Sequence, residues 1–143
     1  MITILLAEDS KFLRVATERA LTRGGYAVNT ASDGEEALRM AREKLPDLIL
    51  LDMLLPKLSG PDVLKALKKE TATAKIPVVV LSGLSNKNAT KLAADGAFAF
   101  LEKSTLEMDK GAGTLLSALA EIIKKLPQQA APNSVSANKA GAS

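Results

Sequence analysis

Pro46-Asp47-Leu48-Ile49-Leu50-Leu51-Asp52-Met53-Leu54-Leu55-Pro56-Lys57-Leu58-Ser59-Gly60 decides the fold of this chain. Leu48 to Leu51 is apolar at every position, without the alternation of a strand that has one wet face. Such a run suits a strand covered on both sides, the centre of a parallel sheet. Pro46 bounds it at the start, and the Pro-Lys-Leu-Ser-Gly turn bounds it at the end. Between the run and the turn stands a carboxylate, Asp52. In open α/β sheets the ligand crevice lies outside the carboxyl ends of the strands. An acid placed there, next to a core, needs a cation, a proton or a partner.

Outward from this stretch the text alternates. Ile2 to Ala7 reads as a buried strand that breaks into Glu8-Asp9-Ser10. A helical pattern follows from Lys11 to Arg23, with Phe12, Val15, Ala16, Ala20 and Leu21 expected inward; Gly24-Gly25 stops it. Tyr26 to Thr30 is a second strand. Ser32-Asp33-Gly34 opens a helix that runs through Lys44, just short of Pro46. After the central strand, Ser59-Gly60-Pro61-Asp62 starts a third helix, with Val63, Leu64 and Leu67 as its apolar stripe and Lys65, Lys68 and Lys69 as its wet side. Ile76 to Leu81 is a fourth strand ending at Ser82-Gly83. Asn86 to Ala94 is a short helix closed by Asp95-Gly96. Ala97 to Leu101 is a fifth strand that ends near Lys103, and Thr114 to Lys125 is the last helix. Five strands alternating with five helices predict a doubly wound parallel sheet with right-handed crossovers. The expectation is one domain over 1–126. Residues 127–143, rich in Gln, Ala, Asn, Ser and Gly, read as a disordered tail or a truncated linker.

Composition narrows the chemistry. The 143 residues contain no cysteine and no histidine, which removes a disulfide framework, a Cys/His zinc site, a Ser-His triad and histidine as general base. Any metal must therefore be held by oxygen. The net charge of +3 is small and its 19 cations are scattered among 16 acids. With three Phe, one Tyr and no basic block, direct nucleic-acid binding is not expected. Neither a membrane span nor a basic leader is seen, and a cytoplasmic location is the expectation.

The strand ends collect a constellation. The first strand delivers Glu8 and Asp9, the third Asp52, the fourth Ser82 and the fifth Lys103. On one rim, three carboxylates repel and raise each other's pKa unless a cation sits among them. With oxygen ligands alone, Mg²⁺ is the natural occupant. Asp52 is then a candidate nucleophile. Ser82 can donate to a phosphoryl oxygen, and Lys103 can neutralise another.

These residues lie in motifs that resemble the response-regulator receiver domains of two-component signalling. The matching text is Leu5-Leu6-Ala7-Glu8-Asp9-Ser10, Pro46 to Pro56 with Ser59-Gly60, Pro77-Val78-Val79-Val80-Leu81-Ser82-Gly83, and Gly96-Ala97 with Phe100-Leu101-Glu102-Lys103. The resemblance spans residues 2–126 and implies a flavodoxin-like (βα)5 sheet of order 2-1-3-4-5. It implies phosphorylation of Asp52 by a histidine kinase or phosphotransfer protein. It implies Mg²⁺ held by Asp9, Asp52 and the backbone carbonyl of Leu54, with Glu8 acting through water. Lys103 would touch the phosphoryl group, and Ser82 and Phe100 would form a switch pair that alters an output surface for an effector protein or a missing output domain. The domain would catalyse only its own phosphotransfer and dephosphorylation.

Two departures stand out: Ser104 follows Lys103 where the family usually has proline, and Phe100 stands where tyrosine is common. Leu54 and Leu84 flank the expected path of water and predict slow self-dephosphorylation. Two rivals remain. A haloacid-dehalogenase-like phosphohydrolase needs an acid two residues after its nucleophile, where this chain has Leu54. A receiver-like scaffold that is never phosphorylated is the other.

Overall fold

The computed structural model describes residues 1–82, 89–102 and 112–126. Five parallel strands, β1 (Thr3–Ala7), β2 (Ala27–Ala31), β3 (Leu48–Asp52), β4 (Val78–Ser82) and β5 (Ala99–Glu102), lie in the order β2-β1-β3-β4-β5. The helices are α1 (Lys11–Arg23), α2 (Gly34–Lys44), α3 (Gly60–Lys69), α4 (Ala89–Ala94) and α5 (Ala112–Lys124). Order and alternation are those expected of the flavodoxin-like sheet.

The every-position apolar run of β3 is explained by two cores. Side chains alternate across a strand. Ile4, Leu6, Leu48, Leu50, Val79 and Leu81 meet Ala20 and Leu21 of α1 and Leu115 and Leu119 of α5. Leu5, Ala7, Ile49, Leu51, Val78 and Val80 meet Ala37 and Ala41 of α2, Val63, Leu64 and Leu67 of α3, and Leu92 of α4. Helices thus cover both faces, and all five residues of β3 are buried.

The caps follow local chemistry. The Ser10 side chain accepts from Leu13 N–H at the start of α1, Asp33 from Glu36 N–H at α2, and Ser59 from Asp62 N–H at α3. Each satisfies a backbone donor that the first helical turn leaves over. α2 ends at Leu45 in the left-handed region (φ 46°), whose N–H donates to Ala41 O before Pro46 ends the run.

Two expectations about helix faces are corrected. Phe12 is 77% exposed, so it belongs to the outer side of α1; the fully buried positions of that helix are Thr17, Ala20 and Leu21. Contact with the sheet selects the 17/20/21 face, and Phe12 sits nearly opposite it on the 3.6-residue period. Lys68 does not stand on a wet side. Its Nζ donates to Ala74 O at 2.9 Å and Ile76 O at 2.8 Å, and burial pushes its ammonium below the ordinary lysine pKa. The long side chain closes the turn before β4 that Thr73 Oγ1 also braces through Leu67 O at 2.7 Å.

Candidate functional site

The site grows from the topology. α1 leaves β1 toward one face and α3 leaves β3 toward the other. The connections after β1 and β3 therefore diverge and open a crevice at the point where strand order reverses. β1 and β3 pair with Ala7 opposite Leu51, so Glu8 and Asp52 extend two strands that run about 4.8 Å apart. β3 and β4 pair with Asp52 opposite Leu81, and β4 and β5 with Ser82 opposite Glu102. The register thus sets Glu8, Asp52 and Ser82 along one rim, with Lys103 the next residue after β5. Lys103 lies outside the described residues, as do Ser104, Leu84 and residues 127–143; of Ser82, the backbone alone is described.

The acids differ in environment. Glu8 is 1% exposed, and its Oε2 accepts from Ser10 N–H at 3.0 Å. Asp9 is exposed. Asp52 is 2% exposed, and its Oδ1 accepts from Leu54 N–H at 3.2 Å. Among the described residues, no three acidic side chains gather closely enough to hold a metal by side chains alone. One oxygen of Glu8 is held at the start of α1 by Ser10 N–H, while the cap of that helix is Ser10 itself. The groups on offer at the strand ends are the carboxylates of Glu8, Asp9 and Asp52 and the backbone of Leu54. That donor set is all oxygen, the chemistry a hard cation takes while keeping several waters, so the residues present fit Mg²⁺.

Leu54, two residues beyond Asp52, is 78% exposed. Phe100 is half-buried against the cluster beneath α2, α3 and α4.

Sequence reading missed two supports. Arg14 Nη1 donates to Glu8 O at 3.0 Å and Asp9 O at 3.2 Å, so one guanidinium fixes the backbone that carries both acids. The loop after Asp52 is pinned from another element: Gly34 N–H donates to Pro56 O at 3.1 Å, and Lys57 Nζ lies 3.6 Å from Asp33 Oδ2. The Asp33-Gly34 pair was legible as a helix start; its second role depends on where β3 brings the loop.

Comparison with known proteins agrees with this geometry. The family profile described as a response regulator receiver domain matches residues 4–111. The gliding motility regulatory protein of Myxococcus xanthus is 41% identical over 108 residues, covering 74% of this chain and 14% of its own length. The transcriptional regulatory protein AfsQ1 of Streptomyces coelicolor is 40% identical over 82 residues, 57% of this chain and 35% of its own length. This chain thus spans about a third or less of these relatives. Among solved structures, the chemotaxis protein CheY4 of Vibrio cholerae superposes with a TM-score of 0.76 at 28% identity, over 85% of this chain and 98% of that one. A response regulator receiver domain protein from Clostridium thermocellum gives 0.74 at 31% identity, over 87% and 96%.

Proposed function

The chain belongs to the response regulator receiver domain family, and from that premise we propose that it is a phosphoryl acceptor in a two-component pathway, modified at Asp52 by a partner histidine kinase or phosphotransfer protein. The observation that carries the proposal is the placement of Asp52: the last residue of a fully buried central strand, at the switch point, side by side with Glu8. A carboxylate held there by the strand and by Leu54 N–H is aimed without loop motion, and positioning is much of what phosphoryl transfer asks of a protein.

In the proposed step a carboxylate oxygen of Asp52 attacks phosphorus in line. The new P–O bond forms as the P–N bond of the donor's phosphohistidine breaks. The electron pair departs on the imidazole nitrogen, which takes up a proton. Asp9, Asp52 and the backbone carbonyl of Leu54 would hold Mg²⁺, with Glu8 behind them through water. Bound Mg²⁺ supplies positive charge against the phosphoryl oxygens. Lys103 would neutralise a further oxygen, and Ser82 would donate to another. The phosphoryl group then acts on a surface read by an effector protein or by an output domain of the same protein. Among the described residues no helix is long and apolar enough to cross a membrane.

The test is intact-mass analysis after incubation with acetyl phosphate and Mg²⁺. One phosphoryl group is expected on the parent and none on Asp52→Asn or after chelation of Mg²⁺. Equal labelling of Asp52→Asn removes the assignment.

A further inference from the structure

The loop that leaves β3 at Asp52 and enters α3 at Gly60 is wedged from two sides. Its start is tied to its end, since Gly60 N–H donates to Met53 O at 3.1 Å. Its middle is tied to α2, since Gly34 N–H donates to Pro56 O at 3.1 Å, while Leu58 N–H closes on the same carbonyl at 2.7 Å. Lys57 takes a left-handed backbone (φ 69°), unfavourable for a residue with a Cβ, and its ammonium lies 3.6 Å from Asp33, the N-cap of α2.

Neither contact leaves slack. A Cβ on Gly34 would fall 1.7 Å from Leu58 O and 2.6 Å from Leu58 C, and one on Gly60 would fall 2.4 Å from Asp52 O. These are backbone atoms that cannot rotate away. A methyl at position 34 therefore forces the loop and the start of α2 apart by more than 1 Å in all, the distance from 1.7 Å out to the 3.0 Å below which real Cβ contacts are essentially never found. The Leu54 peptide unit rides on this loop, with its N–H on Asp52 Oδ1.

We infer that Gly34, helped by the Asp33–Lys57 pair, is a positioning residue that sets the Mg²⁺ affinity of the Asp52 site by holding the Leu54 backbone in register. The inference rests on the reading that Asp52 and the Leu54 carbonyl hold the cation. Mg²⁺ accepts oxygen only near 2.0–2.1 Å in near-octahedral geometry. A carbonyl displaced by a sizeable fraction of an ångström is lost as a ligand, while the fold around it can persist.

The experiment is calorimetric titration of the whole chain with Mg²⁺ alone, paired with thermal unfolding. Gly34→Ala is expected to bind at least fivefold more weakly than the parent. The double variant Asp33→Asn with Lys57→Gln keeps the N-cap and the net charge but breaks the tie. It is expected to bind about twofold more weakly while staying folded, with only the small loss of melting temperature that an uncharged cap brings, and it decides the matter if Gly34→Ala does not fold. Leu21→Ala, in the α1 core, controls for stability: it should melt earlier and bind Mg²⁺ as the parent does. Parent-like affinity in Gly34→Ala, or in the double variant where Gly34→Ala is unfolded, overturns the inference alone. Parent binding that survives Asp52→Asn instead overturns the acceptor-site reading and takes the inference with it.

Discussion

The Leu54 side chain, on a residue that is 78% exposed, can neither accept nor donate a hydrogen bond, although its own peptide N–H holds Asp52 Oδ1. Backbone and side chain thus have separate duties at one position. The backbone orients the Asp52 carboxylate, and the side chain, on the proposed function, would face the water by which a phosphoryl group is lost. Hydrolysis needs a water placed in line, and an apolar side chain offers that water no hold. Replacing Leu54 by Asn adds a polar group without disturbing packing, because the side chain has little to disturb. Leu54→Asn is expected to release phosphate faster than the parent, by up to about tenfold, equivalent to roughly 1.4 kcal/mol of barrier. Phosphate release from the purified phosphoprotein measures this; equal rates would mean that Leu54 serves an apolar surface and has no part in the lifetime.

At the scale of elements, α2 and α3 are tied together at both ends. Near their starts, Asp33-Gly34 grips the loop that feeds α3. Near their ends, Arg42 Nε donates to both oxygens of Glu70 at 2.9 Å, and the pairing holds the Glu70 carboxyl below, and the Arg42 guanidinium above, its ordinary range. The pair is largely solvent-exposed, and such pairs are weak. The N-cap has the stronger claim. Glu36 N–H donates to Asp33 Oδ1 at 2.7 Å. That bond, with help from the Lys57 ammonium and against the opposing effect of burial, holds the Asp33 carboxyl below its ordinary value. A carboxylate depressed in the folded state contributes stability that is whole above its unfolded pKa and fades as the pH falls through its folded one. Asp33→Asn keeps a capping side chain but cannot ionise. The parent is therefore expected to hold a margin over Asp33→Asn in urea midpoint at pH 7 and to lose it at an acid pH below the ordinary carboxylate range. Urea unfolding of both proteins at the two pH values checks the sign; a margin that grows in acid would contradict the assignment.

At the scale of the molecule, the sheet links Asp52 to a remote side chain. Asp52 is paired with Leu81, Ser82 follows Leu81 on β4, and Phe100 sits on β5 opposite Val80. Phe100 is half-buried in the cluster shared with α2, α3 and α4. A phosphoryl group adds charge and acceptor oxygens, and it shifts the molecule only by contacts that differ between two states. Binding of beryllofluoride, a phosphoryl mimic, is expected to change the environment of Phe100 as well as that of Asp52. Nuclear magnetic resonance shifts of the Phe100 ring report this, and shifts confined to residues touching Asp52 would favour a scaffold without a switch.

The sequence alone carried the alternation of strands and helices, the central position of β3 and the acid that ends it, because each is written in local text. A run apolar at every position suits a strand covered on both faces, and Ser32-Asp33-Gly34 and Ser59-Gly60-Pro61-Asp62 each put a capping side chain just ahead of a helical pattern. Sequence periodicity could not decide which face of α1 is buried, since Phe12 and Leu21 are equally apolar in the text and only packing against the sheet chose between them. Nor could it foresee that Lys68 turns inward, because the carbonyls of Ala74 and Ile76 meet its ammonium only after α3 and β4 have docked. Nor could it say how the neighbours Glu8 and Asp9 differ, since the fold buries the first, whose carboxylate accepts from Ser10 N–H, and leaves the second exposed. The grip of Gly34 on the Asp52 loop is likewise a property of the tertiary structure. Residues 34 and 58 are far apart in the chain, and that a Cβ is excluded at 34 follows from where parallel pairing sets the end of β3 against the start of α2.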